Sequence, residues 1–68
     1  MAVGKVIEIT AVSPESFEAA IADGIHRASK TVENIKSAWV KEQYVEIVEG
    51  KIVGFRVTLK VTFLLDKD

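Results

Sequence analysis

The sequence predicts an α+β fold, a β-α-β-β chain in which one helix lies across a three-stranded antiparallel sheet of strand order 1-3-2. Three observations predict it. Residues 51–65 alternate without a break: Val53, Phe55, Val57, Leu59, Val61, Phe63 and Leu65 face one way, and Gly54, Arg56, Thr58, Lys60 and Thr62 the other. That is the period of a half-buried strand. Phe17, Ala20, Ile21, Gly24, Ile25 and Ala28 recur at spacings of three and four, the period of a helix. Glu49-Gly50 then separates two strand-like runs by only two residues, the spacing of a tight hairpin.

The first strand is expected over residues 4–10, with Ile7 and Ile9 on one face. Ser13-Pro14-Glu15 reads as a helix start. Ser13 suits the cap, Pro14 the first helical position, and Glu15 and Glu18 the positive end of the dipole. The apolar stripe, continued by Val32 and Ile35, carries the helix to about residue 31 or 32. Glu15, Asp23, His26, Arg27 and Lys30 lie on its other side. Gly24 interrupts the stripe at a cost of about 1 kcal/mol in helix propensity, which points to close approach of a strand. The second strand is expected over residues 37–48. Ala38 and Val40 share its inward face, Glu42 breaks the pattern, and Val45 and Ile47 resume it one residue out of step, so a bulge or bend is expected near Glu42-Gln43. A hairpin joins the second and third strands. An ordinary crossover through the helix makes the first and second parallel, so placing the third between them leaves every neighbour antiparallel.

The third strand is too long for its protein. At about 3.3 Å per residue it spans roughly 45 Å, whereas a compact 68-residue chain is only about 28 Å across. It must coil or run past its own subunit. A chain this small is also short of core, and with no Cys and a single His neither disulfides nor a thiolate or histidine metal cluster can staple it. Yet 49% of its residues are hydrophobic and its mean hydropathy is +0.22. Burial against copies of itself is the remaining staple, so a homo-oligomer of one domain, residues 1–68, is expected. The net charge is −1, with both signs interspersed, which gives no nucleic-acid or membrane surface. No leader-like or membrane-length apolar run is present, and the expected location is cytoplasmic.

Catalytic motifs are lacking: there is no nucleophile elbow, phosphate loop or paired-carboxylate arrangement. His26, on the exposed helix face, has no Ser, Cys or Asp at a useful spacing. The expectation is a binding or scaffolding protein rather than an enzyme. Trp39 faces away from the helix, where an indole calls for a partner subunit or a planar ligand. Arg56 and Lys60 form either a solvated face or the polar wall of a pocket. Glu42 and Glu46 share a strand face and can attract a hard cation, though no metal-ligand loop accompanies them.

The segments Lys5-Val6-Ile7-Glu8-Ile9, Ser13-Pro14-Glu15-Ser16-Phe17-Glu18-Ala19-Ala20-Ile21, Arg27-Ala28-Ser29-Lys30-Thr31 and the closing run from Phe55 to Asp66 resemble the dodecins over nearly the whole chain. The resemblance implies a sheet wrapped around one helix and a hollow dodecamer of cubic (23) symmetry. It also implies storage of flavin (riboflavin, FMN or FAD) at subunit interfaces without catalysis. The departures fall at the ligand. Ser37 stands where flavin-binding dodecins usually carry a stacking Trp, and Trp39, two residues on, stands where many relatives have Glu. Arg56 replaces a Gln that reads the polar edge of the ring; Arg donates hydrogen bonds but accepts none. Trp39, Ser37, Arg56 and Gln43 are the candidate ligand contacts. The alternatives are another small anionic ligand, a metal cation, or a particle with no dedicated ligand.

Overall fold

A computed structural model describes residues 3–65. Four elements follow one another: β1 (Gly4–Ser13), α1 (Phe17–Ala28), β2 (Ile35–Val48) and β3 (Lys51–Leu64). The strands form one antiparallel sheet in the order β1-β3-β2, as the strand lengths and an ordinary crossover require. The helix packs on one face. Val57, Leu59 and Val61 of β3 and Ala20 of α1 are fully buried, with Ile7, Ile9 and Ala11 of β1 and Phe17, Ile21 and Ile25 of α1 around them. Phe17 and Phe55 meet edge to face at 5.2 Å, an arrangement worth about 1 kcal/mol beyond the area it buries. A Cβ on Gly24 would sit 3.1 Å from Ala11 Cβ and 3.6 Å from Leu59 Cδ1, so the glycine does mark the close approach of helix to sheet.

The boundaries differ from expectation at five places. β1 runs on to Ser13, because Ala11, Val12 and Ser13 continue the ladder opposite Val57, Arg56 and Phe55. That pairing takes Ser13 away from the helix, and its buried hydroxyl accepts from Glu15 N–H at 3.0 Å instead. The N-cap is Ser16, whose Oγ accepts from Ala19 N–H at 2.9 Å, so Pro14 and Glu15 precede the helix and only Glu18 sits in its first turn. The helix ends at Ala28. Ser29 and Thr31 turn their hydroxyls onto the carbonyls of His26 and Ala28, which satisfies the last turn locally, and Asn34 takes a left-handed φ of 65° before β2. β2 therefore begins at Ile35, two residues early, and β3 closes at Leu64.

The β2–β3 ladder shifts register three times: between Ile35 and Ser37, between Val40 and Glu42, and between Glu46 and Ile47, where Val53 of β3 is the extra residue and interrupts the alternation expected there. The break expected in β2 is the middle one, which leaves Lys41 as the extra residue. It lies one residue before the expected position and has the expected effect: the side facing the core passes from Val40, opposite Leu59, to Gln43 and Val45, opposite Val57 and Phe55. The hairpin closes through Glu49 (φ 51°) and Gly50 (φ 77°), the left-handed pair a two-residue turn demands. Since β1 stops opposite Phe55, the hairpin beyond it is a two-stranded arm. The long axis is 51 Å and the radius of gyration 13.9 Å, against about 11 Å for a compact chain of this length. Among the described residues no helix is long and apolar enough to cross a membrane.

Candidate functional site

The sheet face turned away from the helix holds most of the chain's chemistry, laid out in rows because β3 pairs with both neighbours. Ser37, Thr62 and Val6 form one row; Trp39, Lys60 and Glu8 the next; then Glu42, Thr58 and Thr10; then Tyr44, Arg56 and Val12. The bulge at Lys41 makes this composition possible. Without it Glu42, Tyr44 and Glu46 would fall on the helix side, since a one-residue shift flips every side chain.

Trp39 is 52% exposed. Ser37 and Thr62, in the adjoining row, are small, so one side of the indole borders low polar ground. Ser37, Trp39 and Arg56 share this face. Gln43 does not: it lies opposite Val57, on the side of the sheet that carries the helix. Arg56 stands at the arm end of the face and is held there. Its Nε donates to Glu46 Oε2 at 2.9 Å and its Nη2 lies 2.7 Å from the same oxygen. Gly54 makes room for this pair, since a Cβ there would come within 2.9 Å of Glu46 Oε1. The hydrogen bond to Glu46, then its charge, raises the Arg56 pKa above its ordinary value.

At the other end Glu8 links all three strands. Its Oε1 lies 3.1 Å from Lys60 Nζ and 3.6 Å from Lys41 Nζ. The hydrogen bond to Lys60, followed by the charge of Lys41, holds the Glu8 carboxyl below its ordinary pKa of 4.5. Both cations proposed as a polar wall, Arg56 and Lys60, thus have carboxylate partners within the chain. Sequence periodicity places each of these residues on a face but pairs none of them, because the β1–β3 register joins opposite ends of the chain and the β2–β3 register shifts on either side of Glu42–Glu46.

The cation reading meets a different geometry from the one expected. Glu42 and Glu46 do share the face, but Glu46 is engaged by Arg56, and among the described residues no three His, Cys, Asp or Glu side chains converge. His26 lies in the last turn of α1 and borders an open groove between that helix and β1, together with Asp23, Arg27 and Lys30. The groove contains none of the four candidate contacts.

Comparison with known proteins agrees with this fold. The dodecin family model matches residues 3–66. Calcium dodecin of Mycobacterium tuberculosis is 38% identical over 63 residues, covering 93% of this chain and 89% of that protein. Its crystal structure, described as that of a calcium-chelating antigen with a novel calcium-binding site, superposes with a TM-score of 0.82 at 39% identity, over 97% of this chain and 94% of that one. The dodecin of Streptomyces davaonensis superposes with a TM-score of 0.92 at 38% identity, over 97% of each chain. A variant of Thermus thermophilus dodecin gives 0.91 at 34% identity, over 98% of this chain and 100% of that one. Matched along nearly its whole length by family model, sequence and structure alike, the chain belongs to the dodecin family.

Proposed function

We propose that this protein is a non-catalytic, cytoplasmic binding and storage protein. It holds a planar flavin-type ligand (riboflavin, FMN or FAD) between subunits of a homo-oligomer built as a hollow dodecamer. The observation that carries the reading is Trp39, half exposed on the polar sheet face with small side chains in the next row. Stacking a flat ring on such an indole contributes about 1–3 kcal/mol, and one flat sheet supplies only one side of a sandwich. A second copy supplies the other, which suits a chain whose arm outruns its own core.

Trp39 and Ser37 are the contacts the reading needs first. Arg56, held by Glu46, lies at the far end of the same face, and Gln43 serves only a ligand reaching around the strand edge. The test is titration of riboflavin with protein while following flavin fluorescence. Saturable quenching that disappears in Trp39→Ala is the expected outcome. No quenching at tens of micromolar flavin removes the storage function.

A hard cation is the second reading, favoured by the calcium-chelating relative. Glu42 is exposed on the same face as Thr58 and Thr10, so a calcium site here draws carboxylates from more than one subunit. Calorimetric titration with calcium, repeated on Glu42→Gln, separates this reading from the first.

A further inference from the structure

The polar groups beside Trp39 differ from those that strand alternation alone brings forward. Trp39 faces Lys60 across the β2–β3 ladder, and Lys60 faces Glu8 across the β3–β1 ladder. Indole, ammonium and carboxylate thus form one row. Antiparallel partners lie about 4.5–5.5 Å apart between Cα atoms, well within the width of a fused three-ring ligand. Arg56 is four residues further along β3, about 13 Å away, with Nε and Nη2 engaged by Glu46.

An ammonium group only donates hydrogen bonds and a carboxylate only accepts them. Lys60 Nζ and Glu8 Oε1, 3.1 Å apart, together present the donor and acceptor that neither Arg56 nor Lys60 presents alone. Neither group is fully used: the ammonium has three N–H bonds and the carboxylate two oxygens. Lys41 Nζ, 3.6 Å from Glu8 Oε1, leaves a cation on Glu8 when Lys60 turns toward a ligand.

We propose that Glu8 and Lys60 determine ligand specificity at the Trp39 site by selecting a planar heterocycle with an imide edge, an N–H between two ring carbonyls. Lys60 donates to a ring carbonyl and Glu8 accepts from the imide N–H. The inference rests on the stacking reading above and adds to it the class of edge that is read. Glu8, on the first strand, supplies the acceptor that Arg56 does not have.

The test pairs riboflavin with its N3-methyl derivative, which keeps the ring but lacks the imide N–H. Both are titrated against the wild type, Glu8→Ala, Lys60→Met and Trp39→Ala, with flavin fluorescence as the readout. A hydrogen bond to a charged group is worth about 1.5–3 kcal/mol, so the wild type binds riboflavin at least about tenfold more tightly than the N3-methyl compound. That preference collapses toward one in Glu8→Ala, while affinity for the N3-methyl compound stays near the wild-type value. Lys60→Met weakens both ligands about tenfold. Because the preference is a ratio taken within one variant, general loosening of the fold does not produce its loss. An unchanged preference in Glu8→Ala, or loss of the N3-methyl compound there, overturns the edge assignment and leaves stacking intact. Wild type and Trp39→Ala behaving alike overturns stacking, and the edge assignment with it.

Discussion

At the scale of single residues, the contacts with the least tolerance are those where the helix backbone meets the sheet. Gly24 is the clearest. A Cβ there meets Ala11 Cβ at 3.1 Å, and Ala11 cannot move aside without moving β1. Alanine gains about 1 kcal/mol of helix propensity and gives back a similar amount in crowding, so Gly24→Ala should lie near balance. A valine has no such compensation. Gly24→Val is expected to cost about 2 kcal/mol or more through overpacking, read as a lower melting temperature at fixed protein concentration. Gly24 was legible in the sequence because a glycine inside an apolar stripe weakens its helix, and close packing against a strand offsets that loss. The Arg56–Glu46 pair was not legible, because the shift between Glu46 and Ile47 sets Glu46 opposite Gly54 instead of Val53, the partner a two-residue turn alone would give it.

At the scale of elements, competition between strand and helix sets the start of α1. Ser13-Pro14-Glu15 has the chemistry of a helix start, yet extending β1 to Ser13 adds a ladder pair opposite Phe55 and leaves capping to Ser16. Ser16→Ala is therefore expected to destabilise by about 1 kcal/mol through loss of the bond to Ala19 N–H, measured by thermal unfolding. Across the sheet, Glu8 ties β1 to β3 and β2, and its carboxyl is held below the ordinary value of 4.5 first by the Lys60 hydrogen bond and then by the Lys41 charge. A depressed folded-state value contributes stability at pH above the unfolded value, and that contribution disappears as pH falls through the folded one. Wild type is expected to lose more melting temperature than Glu8→Gln as pH is lowered from about 6 to below 4.5. The effect is small because the group is exposed. Equal losses would show that Glu8 does not titrate against its lysines in the folded state. The raised Arg56 value has no counterpart in working conditions, since the group stays charged below both its folded and unfolded values.

At the scale of the whole molecule, the arm decides the behaviour. Ile47, Val48, Ile52 and Val53 are all about half exposed or more, and they lie beyond the last β1–β3 pair, where no third strand or helix among the described residues covers them. Apolar surface gathered at one end of a 51 Å body calls for a partner, and copies of the same chain are the partner at hand. The protein is expected to elute on gel filtration far above its 7.5 kDa chain mass. Ile52→Lys is expected to shift elution toward smaller species and to make the melting temperature depend more strongly on dilution. A wild-type protein eluting as a single chain would overturn the assembly, and the shared ligand site with it.

What the sequence determined by itself was set by local period and chain length: the alternation of β3 from Gly54 onward, the helical stripe as far as Ala28, the two-residue turn, the break in β2 near Glu42 and the strand too long for its body. These depend on residues a few positions apart, and the strand order followed from connection rules. Only the tertiary structure decided where β1 ends and α1 begins, that Lys41 is the residue squeezed out of the ladder, that Gln43 faces away from Trp39, and that Glu8 stands in the row of Trp39 and Lys60. Each of these depends on register between segments far apart in the chain, and register is set by the whole packed sheet, in which one residue of slip exchanges the two faces.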